Sequence, residues 1–112
     1  MLSKMFEDYA NERGFGPRVL ETPHGFATYY LDSDSCYIED IYVVPEKRNK
    51  KVASQIADEI AKIAKSKEIT NLYGSVNKLA KSAQASREVL TSYGFSKLEE
   101  EDEELEWYIK EI

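Results

Sequence analysis

Four cationic side chains fall within five consecutive positions near the middle of the chain: Lys47, Arg48, Lys50 and Lys51. They come directly before a segment with helical spacing, where the positive end of a helix makes each exposed cation unfavourable by roughly 0.3–1 kcal/mol. Free main-chain N–H groups, the helix dipole and several cations together form a favourable phosphate site. The pattern therefore predicts either an anion site or a solvated basic turn, with Asn49 in position to act as the N-cap.

Other residue types that commonly perform chemistry are scarce in this chain. Cys36 is the only cysteine and His24 the only histidine. A single cysteine excludes an internal disulfide and a multi-cysteine zinc or iron–sulfur site, and a single histidine excludes a metal centre built on several histidines. A lone cysteine is more often a small buried hydrophobic residue than a nucleophile. No metal site is expected.

The elements that position the cationic segment follow from the hydrophobic pattern. Apolar residues recur at helical spacing from Val52 onward, which predicts a helix over 52–65. Cys36 to Val44 has apolar residues on both faces, as in a central strand, and Pro45 ends it because proline cannot donate to a ladder. The remaining predictions are a helix over 2–10, strands over 19–22, 26–31, 71–76, 95–98 and 105–109, and a helix over 81–93 ended by Gly94.

This order of elements predicts a mixed α/β fold, in which strands 37–44 and 71–76 are parallel neighbours because a helix joins them. A length of 112 residues with 42% hydrophobic residues favours one domain over 1–112. The net charge of −6 argues against nucleic-acid binding. A signal peptide and a stretch of ~20 apolar residues are both absent from the sequence, so no membrane partner and a cytoplasmic location are expected.

The segment from Ile41 to Ala53 resembles the acyl-CoA-binding segment of GNAT N-acyltransferases. That family's pattern is a strand, often a proline, then arginine or glutamine, two residues, glycine, one residue, and glycine or alanine. Val89 to Phe95 is similar to the family's helix that ends in Gly-Phe before the next strand, and the order of elements from Cys36 onward agrees. The resemblance implies a GNAT-like central mixed sheet with splayed parallel strands flanked by helices.

The resemblance also implies a reaction, the transfer of an acetyl group from acetyl-CoA to a primary amine by direct attack on the thioester. The pantetheine would lie between the splayed strands and contact Tyr42, Val43 and Val44. The pyrophosphate would be held mostly by main-chain N–H groups of Arg48, Asn49, Lys50, Lys51, Val52, Ala53 and Ser54. The implied acceptor is an amine-bearing small molecule, or a lysine or N-terminus of a protein, with a homodimer left open.

The chain departs from the family's pattern at positions that bear on catalysis. Lys51 stands at the first motif glycine. Leu90 stands where a tyrosine often protonates the departing thiolate, four residues before the glycine of Gly-Phe. Tyr93 is the nearest phenol and is the predicted general acid, with a tyrosine that simply packs as the alternative.

Glu39 is the predicted general base, acting directly or through water, because it lies just before the cofactor segment. Since a strand alternates its faces, Glu39 and Asp40 are expected to point in opposite directions. A structural salt bridge or a solvent-facing carboxylate is the alternative for Glu39. Seven acidic residues between Glu99 and Glu106 predict a solvated hairpin connection, or a region that attracts a polycationic amine.

Two other functions remain open from the sequence. One is a non-catalytic GNAT-like module that binds CoA or presents the face of Met5, Phe6 and Tyr9 to a protein partner. The other is a nucleotide-phosphate-binding α/β domain of another type, which the lack of a Gly-x-x-x-x-Gly-Lys-Ser/Thr run disfavours.

Overall fold

A computed structural model describes residues 17–99 and 102–112, together with Met5, Asp8, Tyr9 and Glu12. The helix predicted over 2–10 lies mostly outside the described residues, although these four isolated residues are helical. The elements are β1 (Arg18–Thr22), β2 (Gly25–Leu31), β3 (Ser35–Val43), a 3-10 turn (Pro45–Lys47), α1 (Val52–Ser66), β4 (Asn71–Asn77), α2 (Ala83–Tyr93), β5 (Ser96–Lys97) and β6 (Leu105–Glu111). The predicted mixed α/β fold is confirmed.

The six strands within the described residues form one mixed sheet in the order β1-β2-β3-β4-β6-β5. All neighbours are antiparallel except β3 and β4, which are parallel as predicted. Their register runs from Ser35↔Asn71 to Ile38↔Gly74, yet β3 continues to Val43 and β4 to Asn77. The strands therefore separate after Ile38 and Gly74, which confirms the expected splay. The opening between residues 39–43 and 75–77 is called the β3–β4 cleft below.

The core lies between the sheet and the two helices α1 and α2. One face of α1 is buried, as its stripe of isoleucine and alanine predicts, at Ile56, Ala57, Ile60, Ala61 and Ala64. It packs against β1, β2 and β3, whereas α2 packs against β4. Cys36 and Leu72 are fully buried beneath this layer. The two helices thus cover one face of the sheet, and the β3–β4 cleft lies between the strands that they pack against.

Two contacts fix the position of α2. Gly94 ends the helix in a left-handed conformation (φ 111°), with the Phe95 N–H donating to the Leu90 carbonyl at 3.0 Å. Arg87 makes a paired contact with Glu106, with Nε–Oε1 at 2.7 Å and Nη2–Oε2 at 3.2 Å. This pair holds the pKa of Glu106 below its usual value. Glu106 therefore does not belong to a solvated connection, because it lies in β6 and ties that strand to α2.

Candidate functional site

The β3 edge of the β3–β4 cleft presents the main chain of Val43. The Val44 N–H donates to the His24 carbonyl at 2.9 Å, so the main-chain groups of Val44 face β2. Since these directions alternate along a strand, the N–H and C=O of Val43 face away from β2, whereas those of Tyr42 face it. Of the three residues predicted to contact pantetheine, Val43 alone turns its main chain to the cleft.

Arg48 reaches back to the end of β3. Its Nε donates to the Val43 carbonyl at 3.0 Å, and its guanidinium lies 5.6 Å from the centre of the Tyr42 ring. Tyr42 is 43% exposed and also packs against Phe26. The cation–π contact and the hydrogen bond place Arg48 at the cleft mouth, apart from the exposed Lys50 and Lys51.

The start of α1 has the geometry of an anion site. Lys51 is the N-cap residue and has a left-handed backbone (φ 64°), which explains why the family's pattern has glycine at this position. The prediction that Asn49 caps the helix is wrong, because the chain turns once more and Asn49 is itself left-handed (φ 62°). The first turn holds no acidic residue, and the N–H groups of Val52, Ala53 and Ser54 have no partner within the helix.

A β-bulge places Glu39 beside the β3–β4 cleft. The register pairs Thr28 with Asp40 and Tyr29 with Ile38, so Glu39 is the extra residue of β3. Thr28 Oγ1 donates to Asp40 Oδ2 at 3.2 Å, and hydrogen bonding to the Glu39 carboxylate raises the pKa of Tyr30. Thr28 and Tyr30 share a face of β2, so both carboxylates lie on that face. The expectation that they point in opposite directions is wrong, because the bulge breaks the alternation.

An apolar pocket lies on the other side of the sheet, between α1 and α2 at the cleft. It is lined by Ile38, Ile41, Ala53, Ser54, Ala57, Val89, Leu90, Tyr93 and Phe95. Leu90 points at the last pair before the strands separate, since a Cβ on Gly74 would lie 3.1 Å from Leu90 Cδ2. The position where the family often has tyrosine therefore does face the cleft, but Leu90 has no ionisable proton to donate.

Tyr93 lines the same pocket one turn further along α2. Its hydroxyl donates to Asp58 Oδ1 on α1 at 2.6 Å. Burial between the helices raises its pKa, and the hydrogen bond to Asp58 and the carboxylate charge add to the rise. Tyr93 and Glu39 therefore lie on opposite faces of the sheet, with the cleft between them. Sequence reasoning missed Asp58, because it reads as one residue of a solvated helix face.

The described residues also bear on metal binding and on membrane crossing. Among residues 17–99 and 102–112 and the four isolated positions, no group of three His, Cys, Asp or Glu side chains is arranged to hold a metal ion. In the same part of the chain, every helix is too short or too polar to cross a membrane.

Comparisons with known proteins agree with this geometry. The chain is similar to a PaiA N-acetyltransferase of Thermoplasma acidophilum in complex with coenzyme A (TM-score 0.77, 18% identity, 96% of this chain and 69% of that one). It is also similar to a GNAT family acetyltransferase of Elizabethkingia anophelis with acetyl-CoA bound (TM-score 0.67, 16% identity, 98% of this chain and 84% of that one). The anti-CRISPR protein AcrVA5 is a third similar structure (TM-score 0.67, 18% identity, 82% of this chain and 97% of that one). No curated protein sequence matches the chain.

The family model that matches is described as Acetyltransferase (GNAT) family and covers residues 2–95. This span includes β3, the start of α1, the whole of α2 and the Gly-Phe pair. The matched span also contains the splayed parallel strands and the uncapped start of α1. The chain therefore belongs to the GNAT acetyltransferase family.

Proposed function

We propose that this chain is an N-acetyltransferase that transfers the acetyl group of acetyl-CoA to a primary amine by direct attack of the amine on the thioester. The observation that carries the proposal is the β3–β4 cleft, which opens beside the uncapped N-terminus of α1. Helix N–H groups and lysines at one end of a cleft suit a pyrophosphate there and an extended arm within it. The family match and the two neighbours with CoA or acetyl-CoA bound support acetyl-CoA as the cosubstrate.

The proposed path of this cosubstrate follows three groups of described residues. In this path the pyrophosphate accepts from the N–H groups of Val52, Ala53 and Ser54, and the exposed Lys50 and Lys51, which come directly before them in the chain, add positive charge. The arm runs along Val43, whose carbonyl is already accepting from Arg48. The acyl end then reaches the bulge, where the main chain around Glu39 is not paired with β4 and is the proposed donor to the thioester oxygen.

Glu39 is the proposed general base. A primary amine is protonated at neutral pH and must lose a proton before it attacks. Glu39 is exposed on the face of the sheet opposite the apolar pocket, next to the cleft, so it can take this proton directly or through water. An acceptor therefore approaches from the face that carries Thr28 and Tyr30.

Tyr93 is the proposed general acid for the departing thiolate. Its hydroxyl must first leave Asp58, and its raised pKa makes its phenolate more basic than a thiolate, whose thiol has a pKa of about 8.5. Proton transfer from Tyr93 to the thiolate is therefore unfavourable, so the expected rate enhancement is at the low end for a general acid, about 10²-fold. Tyr93→Phe checks this role through the rate of thiol release at saturating acetyl-CoA.

The proposal is tested in two steps, binding and then turnover. A ligand present at 100 times its Kd adds about 2.7 kcal/mol of stability, so CoA and acetyl-CoA should raise Tm clearly. Release of free thiol is then followed with a panel of amines that includes polyamines, aminoglycosides, lysine peptides and peptides with free N-termini. A chain that shows no shift with either CoA compound is not a CoA-dependent transferase.

Substitution of Glu39 tests the base. Glu39→Gln is expected to lower turnover by 10²- to 10⁴-fold with CoA binding retained. The matched control is Asp40→Asn, which lies on the same face but is bound by Thr28, and which should keep most of its activity. Equal turnover in Glu39→Gln and the unsubstituted chain would overturn the assignment.

A second function is favoured by one observation, the apolar Leu90 at the position that faces the cleft. It is a GNAT-like module that binds CoA, or a protein partner, without catalysis. A Tm shift with CoA, together with no thiol release for any amine in the panel, supports this function over the first.

A further inference from the structure

The sheet face that points away from α1 and α2 is open along the described strands. Every described strand residue that faces away from the two helices is partly or fully exposed, whereas its neighbours on the other face include the buried core. Three of the outward side chains are rings that touch one another, Tyr30 on β2, Tyr37 on β3 and Trp107 on β6. Their centres are 6.2 Å apart for Tyr30 and Tyr37, and 5.6 Å apart for Tyr37 and Trp107. These three rings form one surface, called the aromatic floor below.

The aromatic floor lies at the closed end of the β3–β4 cleft. Gly74 is the last residue of β4 that pairs with β3, so Ser75 is the first beside the cleft, and its partner on β6 is Trp107. Glu39 is the first residue of β3 beyond the same point. Trp107 and Glu39 therefore lie at one level of the sheet, on either side of the closed end of the cleft.

The hydroxyl groups of the floor are already engaged. The Tyr37 hydroxyl and Ser75 Oγ are hydrogen-bonded at 2.7 Å, which links β3 to β4 and fixes the middle ring. Hydrogen bonding to the Glu39 carboxylate raises the pKa of Tyr30 and ties this ring to the proposed base. A ligand on the floor therefore meets ring carbons and not free hydroxyl groups.

The charges on this face suit an amine with one ammonium group. Glu39 and Asp40 lie beside the cleft, and no lysine or arginine stands at an outward position of the described strands. Arg48, which follows β3, lies over the Tyr42 ring at the cleft mouth. The floor itself carries no charge. A second ammonium group of a polycation would thus have no carboxylate opposite it on the floor, whereas an apolar group would be well placed there.

We propose that the aromatic floor binds the acceptor, and that the acceptor is a primary amine joined by a short carbon chain to an aromatic or other flat apolar group. This inference rests on the proposed function, in which the acyl end of acetyl-CoA reaches the bulge at Glu39. The amine lies between Glu39 and the thioester, and its apolar group covers Tyr37 and Trp107. Transfer forms the C–N bond and breaks the C–S bond, with the amine proton going to Glu39 and a proton from Tyr93 going to the thiolate.

The size of the effect follows from the apolar area that the acceptor buries. Burial of about 60 Å² of apolar surface changes a binding constant by about tenfold. A phenyl group laid on the floor covers such an area, whereas ethylamine has no group that reaches it. The kcat/KM for phenethylamine is therefore expected to exceed that for ethylamine by at least tenfold. Diaminobutane, which adds a charge but no ring, is expected to react no better than ethylamine.

Rates of thiol release with these three amines test the floor through substitutions of Trp107. Trp107→Ala should lower kcat/KM for phenethylamine by roughly two- to tenfold and leave that for ethylamine unchanged, whereas Trp107→Phe keeps a ring and most of the preference. The matched control is Ile109→Ala, because Ile109 lies on the same face of β6 but opposite Tyr73, further from the cleft. The control should keep the full preference for phenethylamine.

A binding measurement tests the floor without turnover. Trp107 is the only tryptophan of the chain, so its fluorescence reports directly on what covers the floor. Titration of phenethylamine in the presence of CoA should change the emission, and ethylamine at the same concentrations should not. If Trp107→Ala does not fold, this titration of the wild-type chain decides.

The outcomes separate the two proposals. A chain that releases no thiol with any amine overturns the proposed function, and the fluorescence titration then decides the floor alone. A wild-type preference for diaminobutane, or an equal loss with all three amines in Trp107→Ala, overturns the aromatic acceptor. An emission that phenethylamine leaves unchanged does the same. So does a wild-type dimer that Trp107→Ala converts to a monomer in sedimentation, because a second copy then covers the floor.

Discussion

Replacement of Gly25 by alanine should damage both the fold and the cofactor site. A Cβ at this position would lie 2.1 Å from the Tyr42 carbonyl oxygen and 3.1 Å from Val43 Cα. Both contacts are main-chain atoms, so no side chain can rotate away. Gly25 pairs with Val43 in the part of β3 that, within the described sheet, is held by β2 alone. The added methyl group therefore pushes β3 into the cleft.

The magnitude follows from overpacking. An ordinary contact needs about 3.4 Å, so the strands must move by more than 1 Å at this point. Such overpacking typically destabilises a protein by about 1–3 kcal/mol. For a chain of this size the loss corresponds to a fall in Tm of roughly 4–12 °C. CoA binding should weaken as well, because the displaced main chain includes Val43.

Thermal unfolding and CoA titration measure the two effects, and Gly74→Ala is the matched control. The tight contact of a Cβ on Gly74 would be with the end of the Leu90 side chain, at 3.1 Å, which can shift, and the Phe95 ring would lie at an ordinary 3.8 Å. Gly74→Ala is therefore expected to lose less than 1 kcal/mol. A Gly25→Ala chain that unfolds at the wild-type temperature, or a larger loss of stability in Gly74→Ala than in Gly25→Ala, would contradict this prediction.

Two further changes probe buried and strained residues. Burial raises the pKa of the Cys36 thiol to about 11, above its usual 9.0, so the stability this thiol supports is complete below pH 9 and falls between pH 9 and 11 by at most about 1.4 kcal/mol per pH unit. Urea unfolding at pH 8 and pH 10 should show a larger loss in wild type than in Cys36→Ala, because the raised pKa values of Tyr30, Tyr93 and Tyr108 add a loss that both chains share. An equal fall in the free energy of unfolding of the two chains would contradict the prediction. Lys51→Gly relieves a left-handed backbone and should add roughly 0.5–1 kcal/mol, measured as a higher Tm. Lys50→Gly is its control, where no gain is expected because Lys50 does not have a positive φ.

Local patterns in the sequence were enough to predict most elements. The stripe of isoleucine and alanine predicts a helix over 52–65, and α1 spans Val52–Ser66, because one apolar face decides the position of an amphipathic helix. The alternation of Leu105, Trp107 and Ile109 predicts a last strand, and β6 contains all three. The splay of β3 and β4 came from the resemblance to a family and not from any local pattern.

The details of the site depend on partners that are distant in sequence. The bulge at Glu39 exists only relative to the register of β2, and no glycine marks it. Tyr93 and Asp58 are 35 positions apart, and each alone looks like an ordinary polar residue of a helix. In the sequence Glu106 looks like any other residue of an acidic run, and only the folded structure shows that it pairs with Arg87 of α2. Sequence spacing cannot show such pairs, because they are set when the elements pack.

The short contact between β3 and β4 divides the sheet into two antiparallel units. One contains β1, β2 and β3, the other contains β4, β6 and β5, and only the ladder from Ser35↔Asn71 to Ile38↔Gly74 joins them within the sheet. Proteins open in cooperative units, and a boundary with few hydrogen bonds is where such units separate. A molecule lying in the cleft touches both units, so its binding makes them unfold as one. If acetyl-CoA binds in the β3–β4 cleft as proposed, the cooperativity of unfolding should therefore rise with its concentration.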